Sequence, residues 1–398
     1  MNSGPAIERL LLLDPELGNP GGHYAGFAEV IRLACKRAGI GFEALGGTGS
    51  AAAVFDGIAA EYVPRWLGGA LVNPWIGARK MRQQLDRDVS GRCDSRTLVF
   101  AATANHRHYA ALGGWLAGLP AEFAPPLAVM LRFPEYDARR GAWSPTVHLT
   151  RFGLRRLEAV APRRSLRLVA DSDGLAAEYR QLTRLPVAEL PIPHMLPESR
   201  GERLRAANAP LRFGFFGEAR REKGFEILLE ALEMLSSAGQ LGGLEFVVQS
   251  YVRDGFAAQA ALGAANRLAG RPRQNVRLIE GEMDAARFAD EVFACDVLVL
   301  PYLAECYRTR NSGIFTDALA AGVAVVVTEG TWMAEQLQKH PGAGVCVPDR
   351  DPRALAAAVA RMAGRPGFVR AGARTEAAAW REAHDPALFL RGLVELFD

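Results

Sequence analysis

Short apolar runs alternate with longer amphipathic segments along most of the 398-residue chain. Continuous apolar runs are typical of strands that are buried on both faces of a parallel sheet. The segments between them place apolar residues at the spacing of one helix face. This alternation predicts the α/β class, in which helices cover a parallel sheet.

The first half of the chain contains five predicted strands and five predicted helices. The strands are Ile7–Leu13, Thr97–Ala101, Leu127–Leu131, Leu166–Ala170 and Val187–Leu190. The helices are Tyr24–Ala38, Trp75–Asp88, His108–Ala117, Arg151–Ala161 and Ser172–Leu182. Residues 44–74 are rich in glycine and alanine without a clear period, and we expect one helix among them.

A break in the pattern precedes a second alternating series. Residues 191–210 contain four prolines, several charges and no sustained period, which indicates a linker. The strands predicted after it are Arg212–Phe216, Leu244–Gln249, Asn275–Ile279, Val297–Leu300 and Val323–Thr328. The helices are Lys223–Leu235, Ala257–Leu268, Ala285–Ala294, Ile314–Ala321, Thr331–Gln338 and Pro352–Ala363, with one or two more in Thr375–Phe397.

Two alternating series joined by a linker predict two Rossmann-like, doubly wound domains. The N-terminal domain would span residues 1–190 and the C-terminal domain residues 211–374, with 191–210 between them. The helical tail, residues 375–398, is expected to return to the N-terminal domain. Ligands of such sheets bind at the carboxyl ends of the strands, so we expect the active site in a cleft across which the domains face each other.

The composition is that of a globular protein outside the membrane. Hydrophobic residues make up 49% and charged residues 23% of the chain, and no apolar run approaches the ~18–20 residues of a membrane span. The net charge of +3 gives no indication of a nucleic-acid partner. Five scattered cysteines, without a C-x-x-C pair, favour a reducing compartment. With no signal peptide recognisable, we expect a cytoplasmic protein.

A charged turn, GEARREKG, follows the strand Arg212–Phe216 and ends where Lys223 and Gly224 open a helix. Backbone N–H groups at a helix start, together with cations such as Arg220 and Arg221, form an anion site. Only four of the 47 basic residues are lysines, so the presence of Lys223 within this motif favours a specific role for it. A turn with solvated charges would give the same pattern. The Walker spacing is absent, so we do not expect ATP hydrolysis.

A second candidate segment, residues 297–335, runs from a buried strand into a polar loop that carries Glu305, Arg308 and Arg310. Ser312 and Gly313 then begin a helix, so arginines again meet a helix start, which suits a diphosphate. Asp317 lies about one turn into that helix, where its carboxylate could bind ribose hydroxyls. The alternative interpretations of Asp317 are a solvated acid and an acid that interacts with the dipole of the helix N-terminus.

Over about residues 186–365 the sequence resembles the retaining GT-B glycosyltransferases of group 1, also called family four, which use nucleoside diphosphate sugars. The family pattern is a G-R…K-G turn followed by P-S-x-x-E-x-F-G…E-A-x-A-x-G-x-P-V. The matching positions are Gly217, Lys223, Gly224, Pro301, Glu305, Gly313, Ala318, Gly322 and Val325. In this sequence Glu218 replaces the usual arginine, Asp317 replaces the ribose-binding glutamate, and the loop between Glu305 and Asp317 is about four residues longer.

The resemblance implies roles for these positions. Lys223 and Arg310 would stabilise the departing diphosphate, with Arg220, Arg221 and Arg308 in reserve. Ser312 and the backbone amides of Gly313 and Ile314 would add to this binding. Asp317 would hold the ribose, and Glu305 would face the sugar hydroxyls.

The N-terminal half resembles the family at two places. Gly21 and Gly22 match its glycine-rich loop, where the backbone would approach the donor phosphates or the acceptor; a plain turn is the alternative. His106 and His108 follow a predicted strand, and the family often has a histidine there that contacts the transferred sugar, a role assigned to His106. Metal binding and a structural role remain alternatives for the two histidines, although no third metal ligand is recognisable.

The expected activity is transfer of a hexose from a nucleoside diphosphate sugar to a saccharide or glycolipid acceptor, without a metal or other cofactor. Retention of configuration follows from the resemblance alone. The arginines of Met130–Arg140 suit an anionic or lipid-phosphate acceptor, so a peripheral position on the inner membrane face stays open. No protein partner is indicated. The alternatives are a GT-B-like epimerase or phosphorylase, and a non-catalytic ligand-binding protein with the same fold.

Overall fold

A computed structural model of the chain describes residues 6–17, 23–47, 58–63, 74–196, 209–250, 263, 266, 275–281 and 283–398. The chain forms two compact units. Unit 1 consists of Met1–Met195 and Asp385–Asp398, and unit 2 consists of Leu196–His384.

The sheet of unit 1 has seven parallel strands in the order β3-β2-β1-β4-β5-β8-β9. They are β1 (Arg9–Asp14), β2 (Gly41–Gly47), β3 (Ile58–Val63), β4 (Thr97–Ala104), β5 (Leu127–Leu131), β8 (Leu166–Ala170) and β9 (Val187–Glu189). A separate antiparallel pair is formed by β6 (Tyr136–Asp137) and β7 (Ala142–Trp143).

Side-chain alternation along β1 divides the core of unit 1 between the two faces of its sheet. Leu11 and Leu13 belong to one buried cluster, whereas Leu10 and Leu12 belong to the other. All four are wholly buried, because helices cover both faces of a parallel sheet. The helices are α1 (His23–Ala38), α2 (Pro74–Asp88), α3 (His106–Gly118), α4 (Val147–Val160), α5 (Asp173–Tyr179) and, from the chain end, α13 (Pro386–Glu395).

The sheet of unit 2 has six parallel strands in the order β12-β11-β10-β13-β14-β15. They are β10 (Arg212–Phe215), β11 (Glu245–Ser250), β12 (Val276–Glu280), β13 (Val297–Leu300), β14 (Ala324–Thr328) and β15 (Gly344–Val347). Its described helices are α6 (Phe225–Ser237), α7 (Ala285–Phe293), α8 (Ala304–Tyr307), α9 (Gly313–Ala320), α10 (Trp332–Lys339), α11 (Pro352–Ala363) and α12 (Pro366–Ala383).

Both sheets reverse their strand order next to their first strand. In unit 1 the chain places β2 on one side of β1 and β4 on the other, and in unit 2 β11 and β13 flank β10 in the same way. The loops after such a strand pair leave towards opposite faces of the sheet and open a crevice at the carboxyl ends. The loops after β10 and β13 therefore border the switch point of unit 2. The predicted α/β class is confirmed.

Three strands of the two parallel sheets, and the short antiparallel pair β6 and β7, are absent from the sequence prediction. We expected a helix within residues 44–74; β2 and β3 occupy 44–47 and 58–63, and residues 48–57 and 64–73 lie outside the described part of the chain. Parallel pairing with β1 overrides the weak strand propensity of the glycine-rich GFEALGG. β15, only four residues long, was also missed. Most of the predicted helix Ala257–Leu268 and residues 197–208 of the linker lie outside the described residues.

Candidate functional site

Two loops meet at the switch point of unit 2. The first, residues 217–224, follows β10, and the second, residues 301–312, follows β13. A hydrogen bond joins their backbones, in which Leu303 N–H donates to the Glu222 carbonyl oxygen at 3.0 Å. Gly224, which ends the first loop, has a left-handed φ of 68°, and a β-carbon there would lie 1.9 Å from the Pro301 carbonyl oxygen. The sequence needs glycine at this position for both reasons.

Basic side chains from both loops form one cluster. A single carboxylate oxygen of Glu222, Oε1, lies 3.1 Å from Arg220 Nη1 and 3.5 Å from Arg310 Nη1. Arg220 Nε also lies 3.3 Å from Glu218 Oε2. Glu222 thus joins the K-G turn to the arginine that was predicted on a separate loop. We call Arg220, Lys223 and Arg310 the cation cluster.

Lys223 is the most perturbed member of the cation cluster. Burial above all, and then the positive charges of Arg220 and Arg310, lower the pKa of Lys223 to about 8, against the opposing charges of Glu218 and Glu222. Its Nζ lies 5.9 Å from the centroid of the Tyr302 ring and stands beside the backbone of Gly217. No ion pair joins Lys223 to a carboxylate among the described residues. A bound anion would relieve this mutual repulsion of cations.

The N-terminus of α9 lies directly after the cation-bearing loop. Ser312 is its N-cap, and the hydroxyl oxygen of Ser312 accepts from Phe315 N–H at 3.4 Å. Gly313 and Ile314 are the first two residues of the helix, so their N–H groups have no acceptor within the helix itself. Such amides, together with the helix dipole, favour an anion at this end.

Asp317 lies one turn inside α9 and is only 7% exposed. The alternative of a solvated surface acid is therefore excluded for this residue. Its backbone carbonyl accepts from Ala321 N–H at 2.9 Å, as expected inside a helix.

Glu305 does not stand alone in its loop. Its Oε2 lies 2.6 Å from Nη2 of Arg350, a residue that follows β15. All three reserve arginines, Arg220, Arg221 and Arg308, are exposed, and of these Arg220 shares the Glu222 carboxylate with Arg310. The structure thus brings Lys223, Arg220 and Arg310 into one cluster, and it gives Glu305 a partner that the sequence did not indicate.

The corresponding switch point of unit 1 lies after β1 and β4. His106 is the first residue of α3 and follows the N-cap Asn105. Burial lowers the pKa of His106, Arg107 lowers it further, and Glu135 opposes the shift. His108 has a structural role, since its Nδ1 accepts from Asn105 N–H at 3.0 Å and burial lowers its pKa to about 3. Gly21 and Gly22 lie outside the described residues.

Asp14, the last residue of β1, is a buried ionisable group that the sequence analysis did not single out. Burial raises its pKa to about 6, against the opposing effects of a hydrogen bond from Thr103 and the charge of Arg132. Its position directly after an apolar strand was the available signal. Glu222 and Arg350 were missed because their contacts join distant parts of the sequence.

Within the described residues, no three His, Cys, Asp or Glu side chains form a group that could hold a metal ion. None of the helices described is long and apolar enough to cross a membrane.

The sequence of unit 2 decides the family of this site. Residues 210–365 match the model of the family described as "Glycosyl transferases group 1". Over these residues unit 2 is similar to the group 1 glycosyltransferases. The match includes both switch-point loops and the whole cation cluster, and it confirms the predicted resemblance. A comparison with curated protein sequences finds no match.

Solved structures of low sequence identity share the fold over the whole chain. The trehalose-6-phosphate synthase OtsA matches with a TM-score of 0.72 at 13% identity, covering 98% of both chains. The synthase from Burkholderia xenovorans, in complex with glucose-6-phosphate, has a TM-score of 0.69 at 14% identity and covers 98% of this chain and 100% of its own. HepE from Anabaena, in complex with UDP, has a TM-score of 0.65 at 15% identity, covering 97% and 98%. The fold is GT-B.

Proposed function

We propose that this protein is a group 1 glycosyltransferase, which transfers a hexose from a nucleoside diphosphate sugar to a saccharide or glycolipid acceptor, with retention of configuration. The observation that carries the proposal is the cation cluster beside the start of α9. It joins Lys223, Arg220 and Arg310 at the switch point of a Rossmann-like sheet, where such folds bind nucleotides. The cation cluster would place its positive charges beside the diphosphate of a bound donor.

The leaving group requires most of the stabilisation in this reaction. When the bond between the sugar's anomeric carbon and the β-phosphate oxygen breaks, negative charge develops on the departing nucleoside diphosphate. Lys223 and Arg310 would stabilise that charge, together with the amides of Gly313 and Ile314. Fixed cations and a helix dipole need no reorganisation during the reaction, so we propose that no metal takes part.

The remaining parts of the donor would meet residues on either side of this cluster. Asp317, buried one turn inside α9, would accept hydrogen bonds from the ribose hydroxyls. Glu305, in the preceding loop, would accept them from the hydroxyls of the transferred sugar. For unit 1, contact of His106 with that sugar remains a prediction from the family resemblance.

The ligands of structurally similar proteins support the choice of donor and acceptor classes. One HepE structure from Anabaena contains UDP and glucose, and the synthase from Burkholderia xenovorans contains glucose-6-phosphate. We infer a nucleotide-sugar donor and a saccharide acceptor for this chain. Within this class of acceptor, we also propose a glycolipid whose saccharide is presented at the inner membrane face.

Ligand screening in excess EDTA tests the proposal. The melting temperature is measured with UDP, GDP, ADP and TDP, and the best-binding nucleotide selects the donor sugars for a nucleotide-release assay with saccharide acceptors. We expect one nucleotide to raise the melting temperature and its sugar to be consumed with EDTA present. Binding of none of the four would contradict the proposal. Turnover that requires added manganese or magnesium would contradict its metal independence, and isomerisation of the donor without transfer would identify an epimerase instead.

A further inference from the structure

Arg350 has an unusual backbone conformation. Its φ is 56°, and it is the only non-glycine residue with positive φ in the described part of the chain. A β-carbon in this left-handed region approaches the following carbonyl, so the conformation is unfavourable for an arginine, whereas glycine and occasionally asparagine or aspartate adopt it. Residues outside their preferred conformations persist where the surrounding structure enforces them, and they are concentrated at functional sites.

The turn that contains Arg350 is fixed from its C-terminal side. Asp351 is the N-cap of α11 and accepts from Ala354 N–H at 2.9 Å, and Pro352 is the first residue of that helix. Because its φ is left-handed, position 350 would suit glycine. An arginine at this position must therefore be justified by what its side chain does.

The Arg350 guanidinium connects two carboxylates. Its Nη2 lies 2.6 Å from Glu305 Oε2, and its Nη1 lies 2.6 Å from Asp349 Oδ2. The other oxygen of Asp349 accepts from Ala304 N–H at 3.5 Å, at the start of α8. The turn after β15 thus holds the segment that carries Glu305 by its backbone and by the carboxylate itself.

The exposed fractions of the two side chains indicate that Arg350 holds Glu305 in place. The Glu305 side chain is 17% exposed, whereas that of Arg350 is 45% exposed. Exposed ion pairs contribute little to stability on average, so a stabilising role for this pair does not compensate for the left-handed backbone. The arginine at this position is better explained by its effect on the orientation of the Glu305 carboxylate.

We propose that Arg350 is a positioning residue, which fixes the Glu305 carboxylate in the orientation that binds the hydroxyls of the transferred sugar. The inference rests on the proposed function, because it requires Glu305 to meet the donor sugar. Arg350 would act through Glu305 and not bind the diphosphate, for which the proposed site is the cation cluster.

Arg350→Gly separates positioning from folding, because glycine relieves the backbone strain while the guanidinium is lost. We expect an unchanged or higher melting temperature and nucleoside diphosphate binding within about twofold of the wild type. We expect kcat/KM for the donor sugar to fall about ten- to a hundredfold, the scale for a small misplacement of a positioned group. Arg350→Lys, which keeps the charge, should restore part of the loss, and Arg353→Ala, an exposed neighbour on α11, serves as the matched control.

A double-mutant cycle with Glu305→Gln tests the route of the effect. If Arg350 acts through Glu305, the loss in Arg350→Gly should largely disappear in the Glu305→Gln background. Full activity of Arg350→Gly, additive losses in the cycle, or a loss that follows a lowered melting temperature would each overturn the inference. The proposed function fails separately, if the wild-type protein binds none of the nucleoside diphosphates.

Discussion

A β-carbon on Gly224 would lie 1.9 Å from the carbonyl oxygen of Pro301. The first residue ends the turn after β10 and the second begins the loop after β13. The two loops that carry the cation cluster therefore touch backbone to backbone. The closeness of Lys223 and Arg310 depends on this contact, since neither loop could approach the other with a side chain in between.

Gly224→Ala tests that contact. The substitution combines a clash with a backbone oxygen and a left-handed φ, and we expect it to destabilise the protein by about 3 kcal/mol or more. Gly239→Ala is the matched control, because Gly239 has the same φ of 68° but a β-carbon there would meet nothing within 4 Å. Gly239→Ala should destabilise the protein only through the left-handed φ, by about 1–2 kcal/mol. Equal destabilisation of the two variants in urea unfolding would show that the contact with Pro301 does not restrict position 224.

The pKa of Lys223 predicts how nucleotide binding depends on pH. Because burial lowers this pKa to about 8, half of the free protein has lost this charge at that pH. A diphosphate binds the charged form, so its affinity should fall as the pH rises through 8. Between pH 7.5 and 9 we expect the dissociation constant of the nucleoside diphosphate to increase roughly five- to tenfold, in calorimetric titrations at constant ionic strength.

Lys223→Ala provides the reference for this pH series. The variant should bind more weakly at every pH, but its dissociation constant should change little between pH 7.5 and 9. A wild-type affinity that is independent of pH over this range would show that the Lys223 ammonium does not receive the diphosphate.

Asp14 predicts a pH dependence of stability in unit 1. Its folded pKa, raised by burial to about 6, exceeds the ordinary value of 3.8, so the folded state holds the proton more tightly. Stability from this group is therefore fully present below pH 4 and is lost as the pH rises to 6. The shift corresponds to a loss on the order of 2–3 kcal/mol. Asp14→Asn should remove this dependence, measured as the difference from wild type in urea unfolding at pH 4 and 7.

Asp94→Asn serves as the control of opposite sign. A hydrogen bond from Thr97 lowers the pKa of the exposed Asp94, so its contribution is lost as the pH falls. The two variants should change the pH profile in opposite directions. An Asp14→Asn profile parallel to that of the wild type would contradict the raised pKa.

Long apolar strands and amphipathic helices could be predicted from the sequence because their signals are local. The strand Leu127–Leu131 has the same bounds in the prediction and in the structure. β2, β3 and β15 could not be predicted, since pairing with neighbouring strands holds them and their own residues do not.

The candidate site shows the same division. Lys223 and Gly224 could be identified from a motif within one turn, and Ser312 from its place before a helix. The sharing of Glu222 between Arg220 and Arg310, and the pairing of Glu305 with Arg350, join loops that are far apart in the sequence. Spacing within a single sequence has no information on such pairs, because they depend on strand order.

The cation cluster is the proposed binding site of the donor diphosphate. The most direct test of this proposal is calorimetric titration of the best-binding nucleoside diphosphate into the wild type, Lys223→Ala, Arg310→Ala and the double variant, with Arg361→Ala on the exposed face of α11 as control. Turnover in the same variants should fall on the order of a hundredfold, or about 2–4 kcal/mol for each single substitution. Binding should weaken in both, the double variant should lose less than the sum, and the melting temperatures and the control should stay near those of the wild type. Wild-type affinity in Lys223→Ala, or a loss explained wholly by unfolding, would show that the turn at Lys223 is not the donor site.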